Sequence, residues 1–482
     1  MNARFARFVV LVSGAAILVV ETLATRLVAP YVGLTLESTT AVIGVALAGI
    51  AAGASLGGRW ADVFPPRRVA AGALAAGGLG VLAVRPLVRL LGPVLGPGPV
   101  AAILLVAAST LVSVTALAMV TPAITRARLT TVDGSGSVIG ELSAAGTIGS
   151  LAGTFLTGFV LVTFLPVTAI LLITAAACLV LALLVVEDAR RSALTRGGVA
   201  AVLLAVALVA VPGRCDADTV YYCARVDADP ERASAQVLVL DDLRHSYVDR
   251  ADPAHLEFAY TQRFGDAIDA AFPAGAPLRA VHVGGGGFTM PRWLAATRPG
   301  STSTVLEVDQ GVVDLGRREL GVDEIPDVDI RVGDARTTLA ALPDGSADLV
   351  VGDAFGARSV PWHLATTEFV DEVRRVLRPG GLYVLNIIDR DPRALLAAET
   401  ATVAGRFVTV ALLVRPDQLT PGGGGNAVLV ASDRAPDLGA LAAAAAARGE
   451  PGSLLDDAAT RALAQDAPVL TDDRAPVDQL QT

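Results

Sequence analysis

Seven stretches of about 20 apolar residues follow one another before residue 213, and no other feature limits the chain so strongly. They lie near residues 8–29, 38–58, 69–91, 99–122, 138–164, 167–186 and 198–212, the last being the shortest. A helical run of that length matches the ~30 Å hydrocarbon core of a bilayer, because each residue adds ~1.5 Å and the backbone hydrogen bonds close inside the segment. Residues 1–212 are therefore expected to form a multi-pass α-helical membrane domain of seven spans. The first run follows Arg4 and Arg7 as a signal sequence would. It lacks a small-residue cleavage site and continues through Glu21 and Arg26, so it reads as a retained helix.

Charge divides the chain at the same place. The net charge of −9 combines 13 Arg against 7 acidic residues up to Pro212 with 25 Arg against 40 acidic residues beyond it. An acidic soluble half gives no footing for a nucleic-acid partner, whose phosphates call for a basic face. There is no lysine anywhere, so amine chemistry by a side chain of this protein is excluded.

Arginines mark alternate loops: the amino terminus, Arg59 to Arg68, Arg126 with Arg128, and Arg190 to Arg196. The excess of positive charge predicts that these face the cytoplasm of a cell-membrane protein. With seven spans the soluble half then lies outside the cytoplasm. Cys215 and Cys223 flank "DADTVYY" just after the last span. Their spacing suits a disulfide in an oxidising compartment, with two free thiols in a cytosolic linker as the alternative.

Within the spans, Gly49, Gly53 and Gly57 recur at four-residue intervals, and Gly149 and Gly153 repeat the spacing. Such spacing lets helix backbones approach closely. Glu21 and Arg26 are ionisable groups inside or at the end of a span, which suits a helix-end ion pair or a transport site. The paired broken helices of a transporter are not evident.

Beyond Pro212 the pattern changes. Residues 213–278 form a linker and small β-subdomain, with short alternating runs such as "AQVLVLDDL" and "RHSYVD", and then a helical stretch, "LEFAYTQRFGDAIDAAF". Residues 279–482 alternate strand and helix, the pattern of an α/β Rossmann-like sheet that is doubly wound and mostly parallel. Ligands of such sheets sit at the carboxyl ends of the strands. After the first strand come Gly284 to Gly287, after the second Glu307, after the third Asp334 and after the fourth Asp353. Glycines allow a ligand close to the backbone, and a glutamate after the second strand suits a ribose diol. A nucleoside-bearing cofactor follows. A dinucleotide fits less well, because the third fingerprint position is Thr289.

The order "VGGGG", "LEVD", "VGDARTTL", "LVVGDAFG" and "RRVLRPGGLYVLN" resembles the spermidine synthase family, the polyamine aminopropyltransferases, which have a methyltransferase-type fold. The resemblance covers roughly residues 220 to 480. The membrane half looks like that of bacterial proteins in which such a domain is fused to a multi-pass region, and "VLTDDRAPVDQL" resembles the closing segment of those fusions.

The resemblance implies that Gly284, Gly285 and Gly286 line a site for decarboxylated S-adenosylmethionine, with Glu307 on its ribose and Asp334 and Ala335 at its adenine. It implies Asp353 as the catalytic residue that takes a proton from the attacking amine, and Tyr260 and His245 on the polyamine side. No metal is implied, and a homodimer is compatible. Three departures stand out: Gly287 replaces an aspartate of the family turn, His245 replaces a glutamine, and "AFGARSVPWHL" replaces a proline-rich segment. The amine pocket thus lacks one carboxylate, and Gly287→Asp is expected to improve amine binding.

Three functions remain open at this point. One is membrane-anchored aminopropyl transfer to a polyamine such as putrescine. Another is methyl transfer from S-adenosylmethionine, which the fold supports equally. The third is a non-catalytic domain that binds a nucleoside or polyamine and serves a transporter-like membrane region. His282 is read as a strand position and the glycine run 422–425 as a flexible loop.

Overall fold

A computed structural model describes residues 1–32, 36–95, 98–129, 135–162, 165–185, 215–241, 243–356, 360–447, 449–450 and 453–481. Its contacts separate an amino-terminal helical unit from a carboxy-terminal α/β unit near residue 214.

The helical unit comprises α1 (Ala3–Val32), α2 (Leu36–Val63), α3 (Pro66–Leu95), α4 (Pro99–Ala118), α5 (Val120–Arg128), α6 (Ser135–Leu156) and α7 (Val167–Val185). Helix α5 continues α4 past Met119, and a π-helical turn, Thr157–Leu161, extends α6. Among the described residues six helices are long and apolar enough to cross a membrane. The expected span at 198–212 lies outside the described residues, as does the arginine run 190–196.

The glycine spacing does what it predicts. A Cβ on Gly53 of α2 would lie 2.2 Å from the Thr115 carbonyl oxygen of α4, and one on Gly149 of α6 would lie 2.0 Å from that of Leu11 on α1. Only glycine lets these backbones touch. The charged loops also gather: Arg126 pairs with Asp62 at 3.0 Å, and Arg128 donates to the Met1 carbonyl at 3.0 Å. Glu21 and Arg26 both ride on α1, half-buried.

The α/β unit opens with an antiparallel sheet of β1 (Ala217–Asp218), β2 (Cys223–Ala228), β3 (Ala235–Leu240) and β4 (Leu243–Asp249) in that order. A disulfide joins Cys215 to Cys223, of the two arrangements left open by their spacing. Helix α8 (Ala259–Ala271) follows, burying Phe264, Ala267 and Ile268.

The main sheet is a methyltransferase-type Rossmann sheet. Its parallel strands are β5 (Arg279–Val283), β6 (Thr302–Glu307), β7 (Val328–Val332), β8 (Ala347–Gly352) and β9 (Leu377–Arg390), joined by α9 (Thr289–Thr297), α10 (Gln310–Glu319), α11 (Ala335–Ala340) and α12 (Thr367–Val376). After α13 (Ala394–Ala404), the strands β10 (Thr409–Leu413), β11 (Gly424–Ser432) and β12 (Leu454–Leu455) add antiparallel pairs, giving the order β12-β10-β11-β9-β8-β5-β6-β7. Strand β8 is buried at every position because helices cover both faces. The glycine run 422–425 is only half a loop: Gly424 and Gly425 pair with Arg390 and Asp389 at the start of β11. His282 sits inside β5 as read, bonded to Ser303 at 3.1 Å, and burial pushes its imidazole down to about 3.

Candidate active site

Strand order reverses beside β5, with β6 on one side and β8 on the other, so a crevice opens where the loops after β5 and β8 part. The glycine turn and Asp353 are the residues that follow those two strands. They meet directly: Asp353 N–H donates to the Val283 carbonyl at 2.9 Å, and a Cβ on Gly284 would lie 2.6 Å from the Asp353 carbonyl. Gly284 and Gly286 have φ of 94° and 49°, a backbone path that glycine takes without strain.

Glu307, at the end of β6, organises the turn from behind. One carboxylate oxygen accepts from Gly285 N–H at 2.8 Å and Gly286 N–H at 3.2 Å, and the other accepts from Asp309 N–H at 2.9 Å. Burial raises its pKa while these three amides oppose the shift. Asp309 in turn caps α10 by accepting from Gly311 N–H.

A cavity of about 500 Å³ lies over the turn. Its walls include Gly284, Gly285, Gly286, Asp353, Tyr260 and His245, so six of the residues singled out from the sequence share one chamber. Asp353 accepts from Tyr260 Oη at 3.0 Å on one oxygen and from Asn386 Nδ2 at 2.9 Å on the other. Its surroundings lift its pKa to about 6, chiefly by burial, with the two donors opposing. Burial likewise pushes Tyr260 well above its ordinary value and His245 down to about 4. At neutral pH this places an ionised carboxylate beside a neutral phenol and a neutral imidazole.

Asp334 and Ala335 lie elsewhere, at the end of β7, and do not line this chamber. Asp334 caps α11 through Arg336 N–H at 2.7 Å and meets His363 Nε2 at 2.9 Å. Arg336 and Asp472, from the closing segment, hold the backbone beside His363. Arg336 Nη1 donates to the His363 carbonyl at 3.1 Å, and Asp472 accepts from Arg336 at 2.6 Å and from Thr366 at 2.8 Å.

The reading of Gly287 needs correction. Its N–H donates to Ser246 Oγ at 2.8 Å, and a Cβ there would lie 2.7 Å from Ser246 Cβ, so this position packs against β4 and is absent from the cavity wall. Its φ is not positive, so the obstacle to Gly287→Asp is the neighbouring strand. An aspartate there would break the turn's anchor before reaching an amine.

Sequence reasoning also missed Asn386 and Asn426. Asn426 Nδ2 donates to Asn386 Oδ1 at 3.0 Å, which turns the Asn386 amide toward Asp353. A third wall residue, Arg263, is only 2% exposed; it pairs with Glu450 at 3.0 Å and donates to the Asn426 carbonyl at 2.9 Å. No motif flags an asparagine in a strand, and the partners come together only when β11 pairs with β9.

Comparisons with known proteins bear on the fold. Residues 281–385 match the family model described as methyltransferase domain. A crystal structure of a probable spermidine synthase from Corynebacterium glutamicum superposes with a TM-score of 0.51 at 28% identity, covering 54% of this chain and 96% of that one. The carboxy-terminal half is thus similar to a probable spermidine synthase in both fold and sequence. A polyamine aminopropyltransferase of Vibrio vulnificus is 31% identical over 112 residues, 23% of this chain and 38% of that protein. A probable polyamine aminopropyl transferase of Bifidobacterium longum is 32% identical over 130 residues, 27% of this chain and 28% of that protein. The matches span less than two fifths of either curated relative. Among the described residues no cluster of metal-ligating side chains occurs.

Proposed function

We propose that the protein is a membrane-anchored transferase whose α/β unit moves an aminopropyl group from decarboxylated S-adenosylmethionine to an amine. The observation that carries this reading is Asp353 itself: a carboxylate at the switch point, oriented by Tyr260 and Asn386, facing a cavity walled by the glycine turn. The turn suits a nucleoside, because a side chain at Gly284 would collide with the backbone and Glu307 holds the amides of Gly285 and Gly286 in place. When bound, the sulfonium donor supplies a propyl carbon made electrophilic by its positive sulfur.

The acceptor nitrogen must lose a proton to attack, and Asp353 takes it. The new bond is N–C, the bond broken is C–S, and the sulfur electron pair leaves with 5′-methylthioadenosine. Tyr260, kept neutral, donates to Asp353 and fixes the oxygen that receives the proton. Glu307 is assigned to the ribose, and Asp334 with Ala335 to the base.

Release of 5′-methylthioadenosine from donor and amine tests the proposal. Asp353→Asn should lower turnover by roughly 10²–10⁴-fold, the usual contribution of a positioned base. In the wild type kcat/KM should fall as pH drops through about 6, where Asp353 gains its proton. Product formation that survives Asp353→Asn would remove the carboxylate from the mechanism.

Methyl transfer from S-adenosylmethionine is the second reading, favoured by the match to a methyltransferase domain. The same assay distinguishes it by its nucleoside product, S-adenosylhomocysteine. For location, we infer a multi-pass cell-membrane protein with its amino terminus inside. The Cys215–Cys223 disulfide favours a seventh crossing at 198–212 and a soluble half outside the cytoplasm. A reporter fused after Gly213 that reads cytoplasmic would overturn that orientation.

A further inference from the structure

The cavity wall has an ordered polarity that the transfer chemistry does not use. Asp353 is bonded to Tyr260 Oη at 3.0 Å. The Tyr260 ring stacks on Phe258, with centroids 6.0 Å apart and planes 28° apart. The Arg244 guanidinium carbon lies over that phenyl ring, 5.5 Å from its centroid. Carboxylate, phenol, phenyl and guanidinium thus line one cavity in sequence.

Two other arginines of this wall are already balanced: Arg263 by Glu450, and Arg415 by Asp417. Arg244 is different. Among the described residues no carboxylate hydrogen-bonds it, and Asp229 feels its charge only at longer range. The remaining carboxylate of the wall, Glu257, is engaged by His255 at 3.0 Å and is 44% exposed; Arg244 is exposed as well, so water screens both groups. A bare diamine would put a second ammonium into a cavity whose wall also carries this guanidinium.

We propose that this cavity takes a ligand bearing both an amine and a carboxylate, with the amine at Asp353 and the carboxylate at Arg244. The inference rests on the transferase reading for the role of Asp353, and it names the substrate class. A guanidinium offers two parallel N–H donors to a carboxylate, and its seat on Phe258 keeps the fork oriented. The carboxylate has two possible sources: an amino-acid acceptor, or the methionine tail of S-adenosylmethionine.

Calorimetry on the full-length protein in nanodiscs tests this. 5′-Methylthioadenosine, titrated alone, reports on the nucleoside site. Putrescine, 4-aminobutyrate and ornithine are then titrated with and without it, and S-adenosylmethionine is compared with its decarboxylated form. At least one carboxylated ligand should bind tenfold or more tightly than its uncarboxylated counterpart. Arg244→Met should erase that preference, and Arg244→Glu should reverse it. A preference among free amines assigns the carboxylate to the acceptor, and one confined to the sulfonium pair assigns it to the donor.

Putrescine binding at least as tightly as both amino acids, together with no discrimination between the sulfonium compounds, would overturn the proposal. So would a preference that survives both Arg244 substitutions in protein that remains folded by thermal unfolding. Failure of 5′-methylthioadenosine to bind would instead defeat the nucleoside reading, while the amine comparison still decides the role of Arg244.

Discussion

Helices α2 and α12 are both amphipathic in burial, but in opposite senses. Helix α2 buries Ser38, Ala41, Ala46, Gly49, Gly53 and Gly57, and it exposes Ile43, Leu47, Leu56 and Trp60. Helix α12 buries Phe369, Val370, Val373 and Val376, while its arginines and acids stay on the open side. In water the large apolar side chains supply the driving force for burial, so they go inside. In a bilayer the tails are as apolar as leucine, so small residues go inside, where close backbone contact is what remains to be gained. The contrast belongs to these two helices: elsewhere the helical unit also buries large side chains such as Leu23, Leu74 and Leu117.

The largest effect that can break this comparison lies at Val112, near the middle of the Pro99–Arg128 span and 67% exposed. Val112→Arg should cost about 2.5–3.5 kcal/mol if that face meets lipid. The inserted fraction in a membrane-integration assay reads it. Unchanged insertion would mean that the outward face of α4 does not lie in hydrocarbon.

A smaller effect sharpens the account of the interior. Gly149→Val places its Cβ against the Leu11 carbonyl of α1, and separating the backbones should cost roughly 1–3 kcal/mol, the usual range for overpacking. Unfolding of the detergent-solubilised protein measures the loss. Were the variant as stable as wild type, close contact between α1 and α6 would not be what holds them.

How much of this was legible in the sequence differs between the halves for a physical reason. Span lengths and glycine spacing are local properties, and α1 to α7 follow the expected runs as far as the described residues extend. The parallel strands were legible too: "RAVHV" is β5, and Asp353 follows β8 as its apolar run implied. What failed was non-local. Asn386 reaches Asp353 only through the β8–β9 pairing, and Asn426 reaches Asn386 only through β9–β11. Gly287 looked like a lost ligand because the family pattern has an aspartate there, yet Ser246, forty-one residues away, occupies the space. Glu307, Asp334 and Ala335 stand at the expected strand ends, and their assignment to a nucleoside remains a proposal.

A third test concerns what the α/β unit tolerates inside. Glu399 on α13 is 3% exposed, and burial followed by the charge of Asp389 lifts its pKa to about 8. Between the unfolded value near 4.5 and about 8, the folded chain holds a proton that the unfolded chain has lost. The contribution is therefore fully present below the unfolded value and declines as pH rises, by about 1.4 kcal/mol per pH unit, until pH 8. Glu399→Gln should flatten that slope. Hydrogen exchange of α13 amides in the full chain between pH 5 and 8, corrected for intrinsic rates, measures it; equal slopes in both proteins would show that Glu399 is ionised where it stands.

The smallest effect is the counterpart of the first. Val408, just before β10, is 67% exposed like Val112, and its backbone is already held: its N–H donates to Asp433 at 3.3 Å and its carbonyl accepts from Arg461 at 3.1 Å. Its side chain therefore carries little of the fold. Val408→Arg adds a charge that water solvates, in a half whose acidic residues outnumber its arginines. Asp433, already paired with Arg374 at 3.0 Å, offers an exposed partner worth little more. The change should lie within about 0.5 kcal/mol in thermal or denaturant unfolding. A loss approaching that of Val112→Arg would mean that this edge of the α/β unit is covered by something apolar, and that equal exposure in the two halves does not report two different solvents.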